Sequence, residues 1–351
     1  MKWPHATKRI RLVLGKEKWF PSQRKYFPQQ YVSEWNPTGP YSTGENHHDG
    51  QYKLLMSEIH FLTGVYNDCR LDEKFLCVYA GACPCSHLKD LTKMFPNVFF
   101  ILIDPRFTRQ GMLNLHRQSP GRVLIYPEMF DDRTASAIRA YTNNRDYADG
   151  SHWVTQALHK YDMFLDDIKG PNHPTFGEIT SHKNLLFISD VRTDARNEFT
   201  IAEEMKSQGN WFRTMDATAG LLKFRLPYIN EHDKSNEGTK SNVISLKGDV
   251  CLPIYGPQST TECRLLVRRG CANHSYDPVQ HERTMAGFNG NDRMLPYKYK
   301  GEIFPNFDRF AENVVYDNYE TMREFHHRVQ HERSMAGFNG NDRMIHPRQI
   351  W

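Results

Sequence analysis

Two lysines and two carboxylates stand at odds with their surroundings. Lys223 sits inside the apolar stretch GLLKFRLPY, Asp190 ends the apolar run LLFISD, Glu262 directly precedes RLLVRR, and Lys53 begins an apolar helix in QYKLLMSEIHFL. A charge placed in an apolar segment is costly to bury unless it is paired. Amines and carboxylates that meet in one site can orient a hydroxyl and manage its proton. A lysine can take that proton if burial and a second amine lower its pKa, while nearby acids oppose the lowering. Taken singly, each of these residues reads more often as structural, and Lys223 could point outward from an edge strand.

A second constellation is built for a ligand. The apolar run FLCVYA (75–80) gives way to the small-residue loop GACPCSH, in which Gly81 supplies bare backbone. One strand–helix unit later, VFFILID (98–104) ends at Asp104, where a carboxylate can accept both hydroxyls of a ribose. A nicotinamide dinucleotide would want GxGxxG facing its pyrophosphate. GACPCS lacks that spacing, so a cofactor with a ribose and no phosphate, such as S-adenosylmethionine, fits better.

These residues need a sheet to bring them together, and the chain supplies one. Leu54, Leu55, Ile59 and Leu62 recur on one face of a helix that starts at Gln51. The runs at 75–80, 98–104, 123–126 and 185–190 read as buried parallel strands. Helices are expected around 86–94, 132–142 and 197–208, and further strands around 214–226, 242–247 and 264–269. Residues 28–50 read as loop, and the polar stretch 143–182 as an irregular insertion with one short helix near 153–165. Strand–helix alternation with acids at strand ends predicts an α/β, doubly wound, Rossmann-like sheet with its ligand at the carboxyl edge.

The 351 residues carry a net charge of +4, with 13% aromatics. Residues 1–27 concentrate Lys2, Lys8, Arg9, Arg11, Lys16, Lys18, Arg24 and Lys25 among Trp3, Trp19, Phe20, Tyr26 and Phe27. Basic and aromatic side chains together neutralise phosphate and stack on bases, although a solvated arm has the same composition. No apolar run approaches the ~20 residues that span a bilayer, and the start does not read as a signal peptide, so no membrane is implied. The 7 cysteines are odd in number and scattered, which suits a reducing compartment, and the CxC of Cys83 and Cys85 has no partner pair at zinc spacing, so no metal is expected. VQHERTMAGFNGNDRM (279–294) returns as VQHERSMAGFNGNDRM (329–344), with only Thr284 and Ser334 differing. Two copies are too few for a solenoid, and a local duplication is the simplest account.

The order Lys–Asp–Lys–Glu across an α/β sheet is that of RNA 2′-O-methyltransferases. From about Gln51 to Asp308 the chain resembles, with gaps, the poxvirus family of cap-specific mRNA 2′-O-methyltransferases that double as poly(A) polymerase subunits. The resemblance rests on GQYKLLMSEIHFL, VYAGACPCSHL, ILIDPR, LLFISDVR, GLLKFRLPY and TECRLL in that order. It implies a methyltransferase domain over 51–308 between extensions at 1–50 and 309–351, S-adenosylmethionine as cofactor, the capped 5′ end of mRNA as substrate, a poly(A) or RNA polymerase subunit as partner, and the cytoplasm as location.

Residue by residue, the resemblance implies that Lys53, Asp190, Lys223 and Glu262 are catalytic. It gives cofactor contacts to Gln51, Tyr79, Gly81, Asp104, Arg106 and Phe130. Tyr228 and Glu282 would hold the 7-methylguanine, with a second aromatic, Tyr31 or Trp35, from 28–50. Arg192 and Arg264 adjoin the tetrad and could grip phosphate, or simply pair with an acid. Cys85 departs from the family by replacing a cofactor-loop glycine, at about 1–2 kcal/mol if the position needs φ > 0. Asn230 replaces an aspartate at the cap site, and Glu332 in the second repeat could compete with Glu282. A 2′-O-methyltransferase for uncapped RNA and a non-catalytic RNA-binding polymerase subunit are the rival readings, with a nicotinamide dehydrogenase a distant third.

Overall fold

A computed structural model describes residues 47–67, 73–142, 184–194, 197–227, 242–251, 261–278, 280–281 and 285. The strands are β1 (Phe75–Ala80), β2 (Val98–Ile103), β3 (Val123–Tyr126), β4 (Asn184–Ser189), β5 (Ala219–Phe224), β6 (Val243–Leu246), β7 (Asp249–Cys251), β8 (Cys263–Arg268) and β9 (Asn273–Tyr276). The helices are α1 (His47–Asn67), α2 (Leu88–Met94), α3 (Arg109–Gln118), α4 (Asp132–Thr142) and α5 (Glu198–Met215).

Seven strands form one sheet in the order β3-β2-β1-β4-β5-β8-β7, and β6 pairs with β9 in a separate ribbon. β1 to β5 run parallel, and β8 is antiparallel to both neighbours. β1 and β2 are buried at every position, as strands covered on both faces must be, and their unbroken apolar runs are the local cause. From β1 the chain moves outward to β2 and β3, then returns to the other side for β4 and β5. The order therefore reverses between β1 and β4, and ligands of open α/β sheets bind in the crevice beyond the strand ends at such a point. The mixed α/β expectation and its sheet are both present.

Several elements differ from the sequence reading. Helix α3 and strands β7 and β9 were not anticipated, because α3 is short and polar and the two strands lack an apolar run. α5 continues to Met215, seven residues beyond the expected end, and stops at Asp216 in a left-handed conformation (φ 53°). α1 is buried from Leu54 to Tyr66 on every face, not on one, so Ser57, Glu58, His60 and Thr63 are enclosed with the leucines. α1 begins at His47, inside the stretch 28–50 expected as loop; the insertion at 143–182 with its expected helix, residues 1–46 of the N-terminal extension and the second repeat copy lie outside the described residues.

Candidate active site

At the carboxyl edge of the sheet four elements converge. Asp190 follows β4, Lys223 lies at the penultimate position of β5, Glu262 precedes β8, and Lys53 comes from α1, which packs against β5. The antiparallel β5–β8 register sets Lys223 opposite Arg264 and Phe224 opposite Cys263. Directly opposed residues share a face of the sheet, so Lys223 and Arg264 project the same way. The β4–β5 ladder ends at Leu222, and the Lys223 amide donates instead to Gln208 Oε1 of α5 at 3.1 Å, which fixes the end of the strand.

The tetrad residues meet. Lys223 Nζ lies 3.0 Å from Asp190 Oδ1 and 3.4 Å from Glu262 Oε2. Lys53 Nζ donates to Glu262 Oε1. Arg264 donates to Asp190 Oδ1 at 2.7 Å, to Glu262 Oε1 at 2.9 Å and to its neighbour's carbonyl, Cys263 O, at 3.0 Å. Its guanidinium is only 1% exposed. The phosphate grip read for Arg264 therefore does not fit: the residue is a fifth member of the cluster, wedged beneath both carboxylates. Its inward direction follows from the β5–β8 register, which the sequence does not display.

The electrostatics follow from this packing. Burial works against the charge on Lys53, Glu262 favours it, and Arg264 and Lys223 oppose it, so its pKa is lowered. Glu262 is also penalised by burial, but Lys223, Lys53 and Arg264 outweigh that and hold its carboxyl well below the usual range. Arg264 is held charged by Asp190 and Glu262 against the cost of its burial. Lys53, Lys223 and Arg264 face Asp190 and Glu262, so the cluster carries one more cation than carboxylates. Losing a proton from one lysine would neutralise it.

The ligand loop lies at the switch point. Gly81 has φ +73°, and a Cβ there would stand 2.8 Å from the Asp190 carbonyl carbon and 2.9 Å from the Val191 nitrogen. Only glycine lets this loop cross so close over the end of β4. Cys85 has φ 49° and is fully buried, so it adopts the left-handed conformation expected of the glycine it replaces, and burial pushes its thiol pKa up. Asp104 Oδ2 accepts from the Cys83 amide at 3.0 Å, and Oδ1 accepts from the Arg106 amide at 2.9 Å and its Nε at 3.0 Å. Burial alone would raise the Asp104 pKa, but the hydrogen bonds of Arg106 and Cys83 lower it. Arg106 is 67% exposed and can swing away from the carboxylate.

At three other positions assigned to the cofactor, the side chain faces the core. Tyr79 is fully buried with its hydroxyl enclosed, and burial reinforced by Glu58 raises its pKa well up. The Cys85 thiol likewise points into the core. Phe130 is buried against Phe187 at 5.6 Å and Trp211 at 5.0 Å, a core aromatic that leaves Met129 as the exposed neighbour. Gln51 lies in the first turns of α1, and its side chain is outside the described residues, as are the cap candidates Tyr31, Trp35, Tyr228, Asn230 and Glu282.

Arg192 is half-buried and donates from one terminal nitrogen to Glu204 Oε2 at 2.8 Å, while Glu204 Oε1 accepts from the Thr193 amide at 2.6 Å. Its other terminal nitrogen is buried and has no partner among the described residues. Sequence reasoning missed one pair altogether. His87 Nε2, at the end of the loop that follows β1, lies 2.6 Å from Glu58 Oε2 on α1, and both side chains are buried. This contact ties the loop to the helix that carries Lys53. The available signal was an acid and a histidine, Glu58 and His60, inside the apolar run LLMSEIHFL.

Residues 28–146 match the family model of the poly A polymerase regulatory subunit. The match contains Lys53, Gly81, Asp104 and Arg106 and stops before Asp190, Lys223 and Glu262. No curated protein matches the chain. The match covers less than half of the chain. Among the described residues no helix is long and apolar enough to cross a membrane.

Proposed function

We propose that the chain is an S-adenosylmethionine-dependent RNA 2′-O-methyltransferase that acts on the first transcribed nucleotide of 7-methylguanosine-capped mRNA, in the cytoplasm. One observation carries this reading: Lys53, Asp190, Lys223 and Glu262, far apart in sequence, converge in ion-pair contact at the switch point of the sheet. The residues beside them suit the cofactor. Gly81 brings bare backbone to the crevice, Cys85 keeps the loop in its left-handed turn, and Asp104 supplies an acceptor for a ribose diol once Arg106 releases it.

When bound, S-adenosylmethionine supplies an activated methyl group, so the protein mainly positions the hydroxyl and takes its proton. Lys223, bridging Asp190 and Glu262, orients the ribose 2′-OH or receives its proton. Beside it, burial loosens the proton of Lys53. Asp190 and Glu262 hold both amines in place, and Arg264 holds the carboxylates. Arg192 would grip a phosphate oxygen after its guanidinium turns away from Glu204. The cap would be gripped by Tyr228, Glu282, Asn230 and either Tyr31 or Trp35, as the resemblance implies, because a cationic base between aromatic faces is favoured.

The family match favours a second reading, a non-catalytic RNA-binding subunit of a poly(A) polymerase. One assay separates the two. Labelled S-adenosylmethionine is offered with short RNAs ending in a 7-methylguanosine cap, an unmethylated cap or a triphosphate. The proposal expects transfer to the 7-methylated cap alone, falling about 10²–10⁴-fold in Lys223→Ala, the usual contribution of a positioned proton acceptor. Equal transfer to all three RNAs would indicate an enzyme for uncapped RNA. RNA binding without transfer to any would leave the polymerase subunit.

A further inference from the structure

The duplicated segment is the sequence feature that the site chemistry leaves unused. Its first copy begins at Val279, just after β9, and two of its residues are seated in the core. Met285 is 0% exposed and His281 8%. Both meet the same thiol, that of Cys263. The seat is the start of β8 and the end of β5. His281 Nε2 lies 3.0 Å from the Thr261 carbonyl oxygen and 3.8 Å from Cys263 Sγ. The His281 ring meets Phe224 edge-on at 5.5 Å. Cys263 Sγ lies 3.5 Å from Met285 Sδ. Thr261 and Cys263 flank Glu262, so the segment in this seat abuts the catalytic cluster.

The second copy reproduces both anchors as His331 and Met335. The one difference between the copies, Thr284 against Ser334, spares them. We propose that the seat formed by Thr261, Cys263 and Phe224 accepts either copy, so that residues 329–344 of the same chain are a second, exchangeable occupant. Exchange would replace Glu282, which follows the anchoring histidine in the first copy, by Glu332. Equivalent positions in the two copies are 50 residues apart, a chain length sufficient to cross a domain of this size.

The two occupants are not equal. In the first copy the Gln280 amide donates to Asp277 Oδ1 at 3.3 Å and the His281 amide to the Asp277 carbonyl at 2.9 Å. His327 stands at the corresponding place before the second copy, where it offers no such carboxylate cap. Loss of a cap of this kind favours the first copy about fivefold. The second copy is then a minor occupant of the wild-type chain and the main one whenever the first is displaced. The inference rests on the packing of β5 and β8 and is independent of the reaction.

Cys263, fully buried beneath the first copy, is a native probe. Met335→Cys in the full-length chain leaves the seat untouched, and Met285→Cys is the positive control. Mild oxidation with oxidised glutathione, which accepts the two electrons as two thiols become one disulfide, traps whichever copy visits the seat. Peptide mass spectrometry reads the partner of Cys263. The proposal expects a link between Cys263 and the thiol introduced at position 335, rising about fivefold when His281→Ala and Met285→Ala displace the first copy. It is overturned if the control links and the position-335 thiol never reaches Cys263 in either background. It is equally overturned if, in a mixture of isotopically light and heavy chains, the link joins different chains, which would give the seat to a second copy of the protein.

Discussion

Replacing Arg264 by methionine should destabilise the fold and tighten the proton on Lys53. The guanidinium makes two charge-assisted hydrogen bonds, to Asp190 at 2.7 Å and Glu262 at 2.9 Å, from a fully buried position. Such bonds contribute about 1.5–3 kcal/mol each. Part of that is offset, because the change removes one of three mutually repelling cations and leaves two lysines facing two carboxylates. Each carboxylate keeps a lysine partner, so the net loss should be about 3–4 kcal/mol, at the lower end for a broken buried ion network. At roughly 2–4 °C per kcal/mol for a domain of this size, Tm should fall by about 10 °C in differential scanning calorimetry. Arg264 is also one of the groups that lower the Lys53 pKa, so Lys53 should titrate higher in the variant, read by lysine-selective NMR. Arg264→Lys should recover part of the stability, since it restores the charge but not the fork that spans both acids. A variant with the wild-type Tm and an unmoved Lys53 would refute the buried bridge and return Arg264 to the surface role.

Gly81→Ala should cost about 3 kcal/mol or more in urea unfolding, because the left-handed φ is strained for alanine and the new methyl meets backbone atoms of Asp190 and Val191 that cannot yield. Acid sensitivity should come first from two histidines. Burial lowers both His60 and His281 from 6.5 to about 4, so between those values the unfolded chain binds more protons. Stability should therefore fall as pH drops from 6.5 through 4, by about 3 kcal/mol for each histidine, and His60→Gln should remove about half of that slope. Glu262 and Asp104, whose pKa values are lowered, add a second loss that begins as pH falls into the ordinary carboxylate range and continues below it.

The strands of the parallel sheet were legible because full burial on both faces demands unbroken apolar runs, and FLCVYA, VFFILI, VLIY and LLFIS are such runs. The acids at strand ends were legible too, since Asp104 and Asp190 interrupt those runs. Lys53, Lys223 and Glu262 could be singled out as charges beside apolar sequence, and the glycine need of the loop after β1 was readable at Gly81 and, through the resemblance, at Cys85. What each side chain faces was not. Lys223 and Arg264 share a face only because β5 and β8 pair antiparallel in one register, and a one-residue slip would turn Arg264 away. Tyr79 and Phe130 point into the core, and α1 is enclosed on every side, because distant elements pack over them. The pairing of Glu58 with His87 joins segments that local pattern treats separately. Sequence alone determined which residues are apolar, charged or free to turn, since those are properties of the chain over a few residues. The tertiary structure decided which charges meet, because ion pairing within about 3 Å depends on strand register and helix packing that no local window contains.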